Sequence, residues 1–549
     1  TIFKMETTFR ARPGSLPRLR FGTEYQLRAR VVDLAGNSSF TPQDPAFSDD
    51  VTEKTAVTRY RRFEPVSPPP LMLRAELIEG ESLERLVVRS QVTDPAATIQ
   101  SQSTERHLVP PKTAQRLAEH HGLFDGSPGM PNNQAAYDLA SREAGSMTHR
   151  LNLTSGSLEL IPGIQEVTTP EQTIWLQTNA QFELAYLPDP YARGVLLLGL
   201  PGMNAFDEII DPAVQVVNKI PFDGAWPNPQ AVRLRLTGLE AGAAPAQPQW
   251  DATNRVLTVQ LAQGETAVIR ISSYFDSADL ANTGVWEWIE AANPADLATL
   301  RSQYESGRTW LHLPFRTLVL VHAVQQPLAI PQIDTLDDPA DKDLGDTAVT
   351  LNGTLTVDAK STSKVDLWSS WEDPIDDLSQ PAFVTQSQEM HVAEVTAADP
   401  ANDSLLIDAV RHSLGDTKYH RVTYWPIATT RFREYFPPTI TSDPTNLIRP
   451  LPSEAPIATA IDIPNSSRPA APKVQYLLPT FRWEEQETGG ILTKERRGNG
   501  LRVYLERPWF SSGANERLGV VIRPGSVAFD SEAGEALRPY TSQWGMDPL

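Results

Sequence analysis

Cysteine is absent from this chain of 549 residues. Disulfide staples, thiolate zinc sites and cysteine nucleophiles are excluded together. Positive charge is scarce as well: 48 Lys and Arg stand against 68 Asp and Glu, a net charge of −20. So acidic a surface repels phosphate backbones and anionic headgroups, and nucleic acid is not an expected partner. No run of the sequence reaches the roughly 18 apolar residues of a membrane span, and no signal-peptide pattern opens it. Glycine (31) is outnumbered by proline (47), the reverse of average usage. Many short strands with proline at their ends and in linkers would give that balance.

The short signatures of several enzyme classes are also missing. There is no GxSxG elbow, no GxGxxG, no GxxxxGK[ST] and no HExxH, so nucleophile, nucleotide and zinc-protease chemistry have no motif behind them. The nine histidines are scattered. His120 and His121 are adjacent and would point about 100° apart on a helix. His322 sits in an apolar run and reads as a satisfied core residue, and His412 and His420 flank a turn. Two groups pair carboxylates with tryptophan, as sugar-cleaving sites do: Trp286, Glu287, Trp288 and Glu290, and Trp371, Glu372, Asp373, Asp376 and Asp377. On a helix the first group would bury its tryptophans and solvate its acids. An acidic loop holds Asp341, Asp343 and Asp346 at a spacing that offers oxygen ligands to Ca2+, although Gly345 is misplaced for an EF-hand and no Glu closes the loop. RFREYF (Arg431 to Phe436) and ERPWF (Glu506 to Phe510) carry the residue types that anchor protein contacts.

What is present in quantity is strand pattern. Length predicts about three or four domains, and hydrophobic content of 40% allows each a core. Residues 46–75 read as a proline-rich linker, with FEPVSPPPL from Phe63 to Leu71. Residues 76–145 read as a mixed strand and helix region, with helices after Pro111 and from Gln134 to Glu143. Residues 146–331 read as a larger, mostly-β domain. Within it Val232 to Leu236, Val256 to Leu261 and Thr266 to Ile271 suggest an antiparallel meander, and Phe315 to Val324 a central strand. Helices are expected near Asp279 to Ala291 and Pro294 to Tyr304. Residues 332–347 form an acidic linker, 348–440 a β-sandwich with Trp368 or Trp371 in its core, 441–472 a linker rich in proline and serine, and 473–549 a further, truncated β module. In that module Leu501 to Pro508 and Arg517 to Pro524 are read as a hairpin.

Residues 1–45 are the most informative stretch. Tyr25, Leu27, Ala29 and Val31 alternate with Glu24, Gln26, Arg28 and Arg30, the period of a half-buried strand, and DLAGN (Asp33 to Asn37) supplies a turn. Gly22, Thr23, Tyr25, Arg28, Ala29, Asp33, Ala35, Gly36 and Asn37 together resemble the C-terminal strands of a fibronectin type III-like or immunoglobulin-like domain. The resemblance implies a β-sandwich remnant, with the Tyr25 hydroxyl bonded back to the backbone as in a tyrosine corner. A weaker echo runs from Gly415 through Tyr419 to Ile427. With no initiator Met and little sequence ahead of this motif, the chain reads as a piece of a longer modular polypeptide.

The fold class expected is mainly β: serial β-sandwich modules around a larger mostly-β domain bearing short helices. The function expected is a non-catalytic structural or binding component of a bacterial surface, secreted or multi-protein assembly, outside the cell or on its surface. Its partners would be other protein subunits or a surface glycan. The alternative is a carbohydrate-active enzyme or lectin-like binder with accessory sandwiches. The only cofactor in view is Ca2+ at Asp341, Asp343 and Asp346.

Overall fold

The computed structural model describes residues 16–27, 33–37, 55–90, 103–127, 130–131, 133–170, 172–203, 219–292, 295–305, 309, 311–339, 342–375, 384–449, 458–467 and 473–506. Strand accounts for 46% and helix for 12%, so the protein is mainly β with a few short helices. It divides into two compact units, Thr1–Gln325 with Phe432–Ser442, and Gln326–Arg431 with Asp443–Leu549.

Two sheets build the first unit. One has seven strands in the order Ile164–Thr168, Thr173–Gln177, Leu71–Leu73, Ser103–Leu108, Val232–Leu239, Val256–Ala262 and Gln249–Asp251. The other has five: Lys219–Pro221, Gly194–Leu198, Thr266–Tyr274, Phe315–Val324 and Arg85–Ser90. Leu108, Leu234 and Leu257 of the first pack in one buried cluster with Leu86, Leu197, Ile269 and Leu318 of the second. The alternation of strand side chains makes this possible: Leu234 and Leu236 turn inward while Arg235, between them, pairs with Glu105 on the neighbouring strand. The stretches read separately as 76–145 and 146–331 therefore share both sheets.

Phe315–Val324 is interior, flanked by Thr266–Tyr274 and Arg85–Ser90. The meander is not formed. Val232–Leu239 and Val256–Ala262 pair in parallel, and Thr266–Tyr274 belongs to the opposite sheet. The turn at Gln263 and Gly264 carries the chain from one layer to the other, so adjacent runs become facing ones. The proline-rich stretch is not a free tether either: Val66 is buried, Leu71–Leu73 is a buried strand, and the Pro70 carbonyl accepts from Val109. Prolines 68 to 70 have no N–H to give a ladder, which delays the strand to Leu71. The α-helices of this unit among the described residues are Gln115–His120, Asn133–Ser141, Ser277–Leu280, Gly284–Ala292, Leu297–Glu305 and Pro438–Thr441.

Near the amino end Glu24–Tyr25 pairs with Thr58–Arg59. The Tyr25 hydroxyl accepts from the Arg20 N–H at 2.9 Å and donates to the Arg18 carbonyl at 3.2 Å. Residues Phe432–Ser442 complete the first unit from far along the sequence. Glu434 pairs with Arg85, the Arg89 guanidinium lies over Phe436, and the Tyr435 ring covers Gly80 so closely that a Cβ there would meet it at 2.3 Å.

The second unit is also a two-layer sandwich. Gln332–Leu336, Ala348–Thr356 and Ser404–Ser413 form one sheet; Val384–Thr396, Thr362–Ile375, His420–Thr430 and Thr459–Ile463 form the other. Val349, Leu351 and Ile407 meet Val365, Leu367, Val422 and Tyr424 in its core. Trp371 joins that core, whereas Trp368 lies on the opposite face of its strand beside His391. The outer strands Gln332–Leu336 and Thr459–Ile463 come from stretches that read as linkers. A hairpin, Val474–Thr488 with Ile491–Leu505, stands as a two-stranded sheet of its own. Leu501–Leu505, read as one half of a hairpin, pairs here with Val474–Pro479; Arg517 to Pro524, its expected partner, lies outside the described residues.

Candidate functional site

Of the three residues expected to hold Ca2+, Asp341 lies outside the described residues. Asp343 and Asp346 are exposed on one turn, where the Asp346 N–H donates to the Asp343 carbonyl at 3.0 Å. The neighbouring Gly345 N–H donates to Ser466.

The tryptophan and carboxylate group on Gly284–Ala292 is spoken for internally. Trp286 is buried and its indole donates to Glu290 at 2.7 Å; Glu287 pairs with Arg61; Trp288 is exposed against Phe63. His322 is a satisfied core histidine, with Nδ1 at 2.8 Å from the Leu261 carbonyl and Nε2 at 3.1 Å from Ser90 Oγ. Its ring fills the space above Gly238, where a Cβ would lie 2.6 Å from it.

A buried polar network runs through the first unit. Arg62, with no exposed surface, makes two bonds to Asp189 at 2.6 and 2.5 Å and reaches His121 Nε2 at 3.3 Å. Burial, reinforced by Arg62, pushes the His121 imidazole down to about 3. His312, stacked on Tyr304, is pushed down to about 4 for the same reasons, and neither of its ring nitrogens has a partner. Both side chains are neutral packing elements at physiological pH.

Among the described residues, one group of three acidic and histidine side chains converges: Asp373, Asp416 and His420, whose donor atoms lie within 4.8 Å of one another. His420 opens the strand His420–Thr430, Asp416 sits in the turn before it, and Asp373 is near the end of the adjacent strand Thr362–Ile375. His420 Nε2 is 2.8 Å from Asp416 Oδ1, and Nδ1 is 3.4 Å from Asp373 Oδ1. Asp373 belonged to the second acid and tryptophan group in the sequence; Asp376 and Asp377 of that group lie outside the described residues.

The other unusual surface is the hairpin. Its register opposes Leu477 to Val503, Pro479 to Leu501, Phe481 to Gly498 and Trp483 to Arg496. Alternate residues share a face, so Leu477, Pro479, Phe481, Trp483, Leu501 and Val503 form one apolar row. Trp483 is 66% exposed and Leu501 64%. Gly498 leaves Phe481 uncovered from across the strand, and the Arg496 guanidinium lies over its ring at 4.2 Å. The other face carries the Tyr476–Tyr504 stack and a ladder in which Arg497 pairs with Glu484 and Glu495 and Arg482 with Glu484. One face is thus largely charged and the other largely apolar, and both are exposed. No family model matches the chain, and no curated protein sequence matches it. No helix among the described residues is long and apolar enough to cross a membrane.

Proposed function

We propose that this protein is a non-catalytic structural or binding component of a multi-protein assembly, and that the hairpin Val474–Leu505 is its contact arm. The observation that carries this reading is the apolar row on one face of a ribbon that has no second layer among the described residues. A lone two-stranded hairpin is at best marginally stable in water, and a contiguous exposed apolar patch marks an interaction surface. The occupant is a protein subunit, not a glycan. Leu477, Pro479, Leu501 and Val503 give a sugar no hydrogen-bond partner from their side chains, and Phe481 is capped by Arg496.

The row is about 23 Å long and about 10 Å wide from strand rise and spacing, a footprint of roughly 230 Å2. A free-standing interface needs about 800 Å2 per partner. Self-pairing through this ribbon alone falls short, so the arm serves as one of several contacts with a different subunit. The Tyr25 corner supports a fibronectin type III-like relationship for the amino-terminal segment, a module type consistent with such a role.

The experiment is site-specific photocrosslinking in the native host, with the reactive side chain placed at Trp483 on the apolar face or at Arg482 on the charged face. A discrete adduct with one protein, formed from position 483 and not from 482, is the expected result. Equal labelling from both positions, or none from 483, overturns the assignment.

A further inference from the structure

We propose that Asp373, Asp416 and His420 form a structural site for a divalent transition-metal ion of the Zn2+ class at one end of the second unit's sandwich. The inference does not depend on the hairpin.

The site is built where the apolar core stops. Along Thr362–Ile375 the inward positions read Leu367, Ser369, Trp371 and Asp373, so a carboxylate follows directly on a buried indole. Asp373 Oδ1 is shielded from water and accepts no hydrogen bond. Such an orphaned acceptor costs about 1–3 kcal/mol, and more when charged, unless something electropositive faces it. What faces it is His420, which is only 2% exposed. Trp371, 8% exposed, forms the inner wall: its ring is 5.8 Å from His420, and its own indole N–H lacks an acceptor. Behind it His412 is held by Tyr424 and Ser369 at 2.6 and 3.3 Å and is not available. Asp416 is fixed by the Lys418 N–H at 2.9 Å, and Lys418 Nζ is 3.6 Å from its other oxygen. Asp416 and Asp373 keep some exposed surface, which leaves an entry path and room for water ligands.

Donor chemistry selects the ion. One imidazole with two carboxylates suits Zn2+ and its neighbours, whereas Ca2+ and Mg2+ prefer oxygen alone. The bound ion would tie the turn at Asp416 to the end of the strand at Asp373.

The test uses the full chain, stripped with chelator, and titrates Zn2+ by calorimetry. One equivalent is expected to bind, with a rise in the unfolding midpoint of the second unit. Co2+ in its place is expected to give visible ligand-field bands. Asp373→Asn and Asp416→Asn are expected to remove that equivalent and the bands; the metal-free midpoint is expected to hold in Asp373→Asn and to fall in Asp416→Asn, which gives up charge-assisted bonds to His420 and Lys418. Zn2+ binding that survives either substitution places the ion elsewhere and overturns the proposal. So does an absence of binding together with a lowered midpoint in Asp373→Asn, the pattern of a simple histidine and carboxylate ion pair.

Discussion

At the scale of single residues, the most consequential pair is Arg62 and Asp189. Both are buried, and each holds the other's charge. Removing one leaves an uncompensated charge in the interior, at a cost of about 3–5 kcal/mol. Asp189→Ala is therefore expected to lower the denaturant midpoint of the first unit by that equivalent, and a loss below about 1 kcal/mol would show that the pair is incidental. His312 supports a pH prediction. Its folded-state value lies near 4, set by burial and by Arg62, with Asp189 opposing, against about 6.5 when unfolded. The unfolded chain thus binds more protons below that value, so the contribution to stability is complete above about pH 6.5 and is lost as pH falls toward 4, by at most about 1.4 kcal/mol per unit. His312→Phe should flatten that slope in thermal melts between these limits; an unchanged slope refutes the assignment. The same substitution removes two unpartnered nitrogens, so stability at neutral pH should hold or rise.

At the scale of elements, the hairpin turn is the most sharply specified feature. Gly489 and Gly490 both adopt positive φ, +63° and +80°, as a two-residue turn of the type that matches strand twist requires. Alanine at both positions costs about 1–2 kcal/mol each, and faster amide exchange on either side of the turn is the expected readout. Protection equal to the parent chain would rule this out. The sequence holds this Gly-Gly signal between two long runs, yet the charged residues Glu484 to Glu487 and Lys494 to Arg497 mask the strand period there. Elsewhere the strand pattern of Val232 to Leu236 and the continuous apolar run of Phe315–Val324 were readable. Partner choice was not readable, because alternation fixes which face is inward and not which layer a strand joins. The site shows the same division. Trp371 and Asp373 were legible as an acid and aromatic group. Asp416 stands four residues from both His412 and His420, a spacing that has a defined meaning on a helix; across a turn between strands only the fold selects His420 as the neighbour and turns His412 toward Tyr424.

At the scale of the whole molecule, the mainly-β class followed from composition and pattern, but the grouping of strands did not. Burial of Val66 and of Leu71–Leu73 turned an apparent linker into core, because prolines lack donors without lacking apolar surface. Two sandwich cores predict two calorimetric transitions. Asp189→Ala is expected to move one of them and leave the other in place, and a single transition shifted as a whole would contradict independent units.

The return of Phe432–Ser442 to the first unit has a consequence for biosynthesis. Domains ordinarily fold as they leave the ribosome, amino end first. Here the leading unit remains incomplete until residue 442 has emerged, by which time most strands of the trailing unit are already outside the exit tunnel. Both cores must then sort their partners in the same interval, with Tyr435 and Phe436 uncovered until they find Gly80 and Arg89. A gene fragment ending at 325 would release a nascent chain that lacks its own last piece.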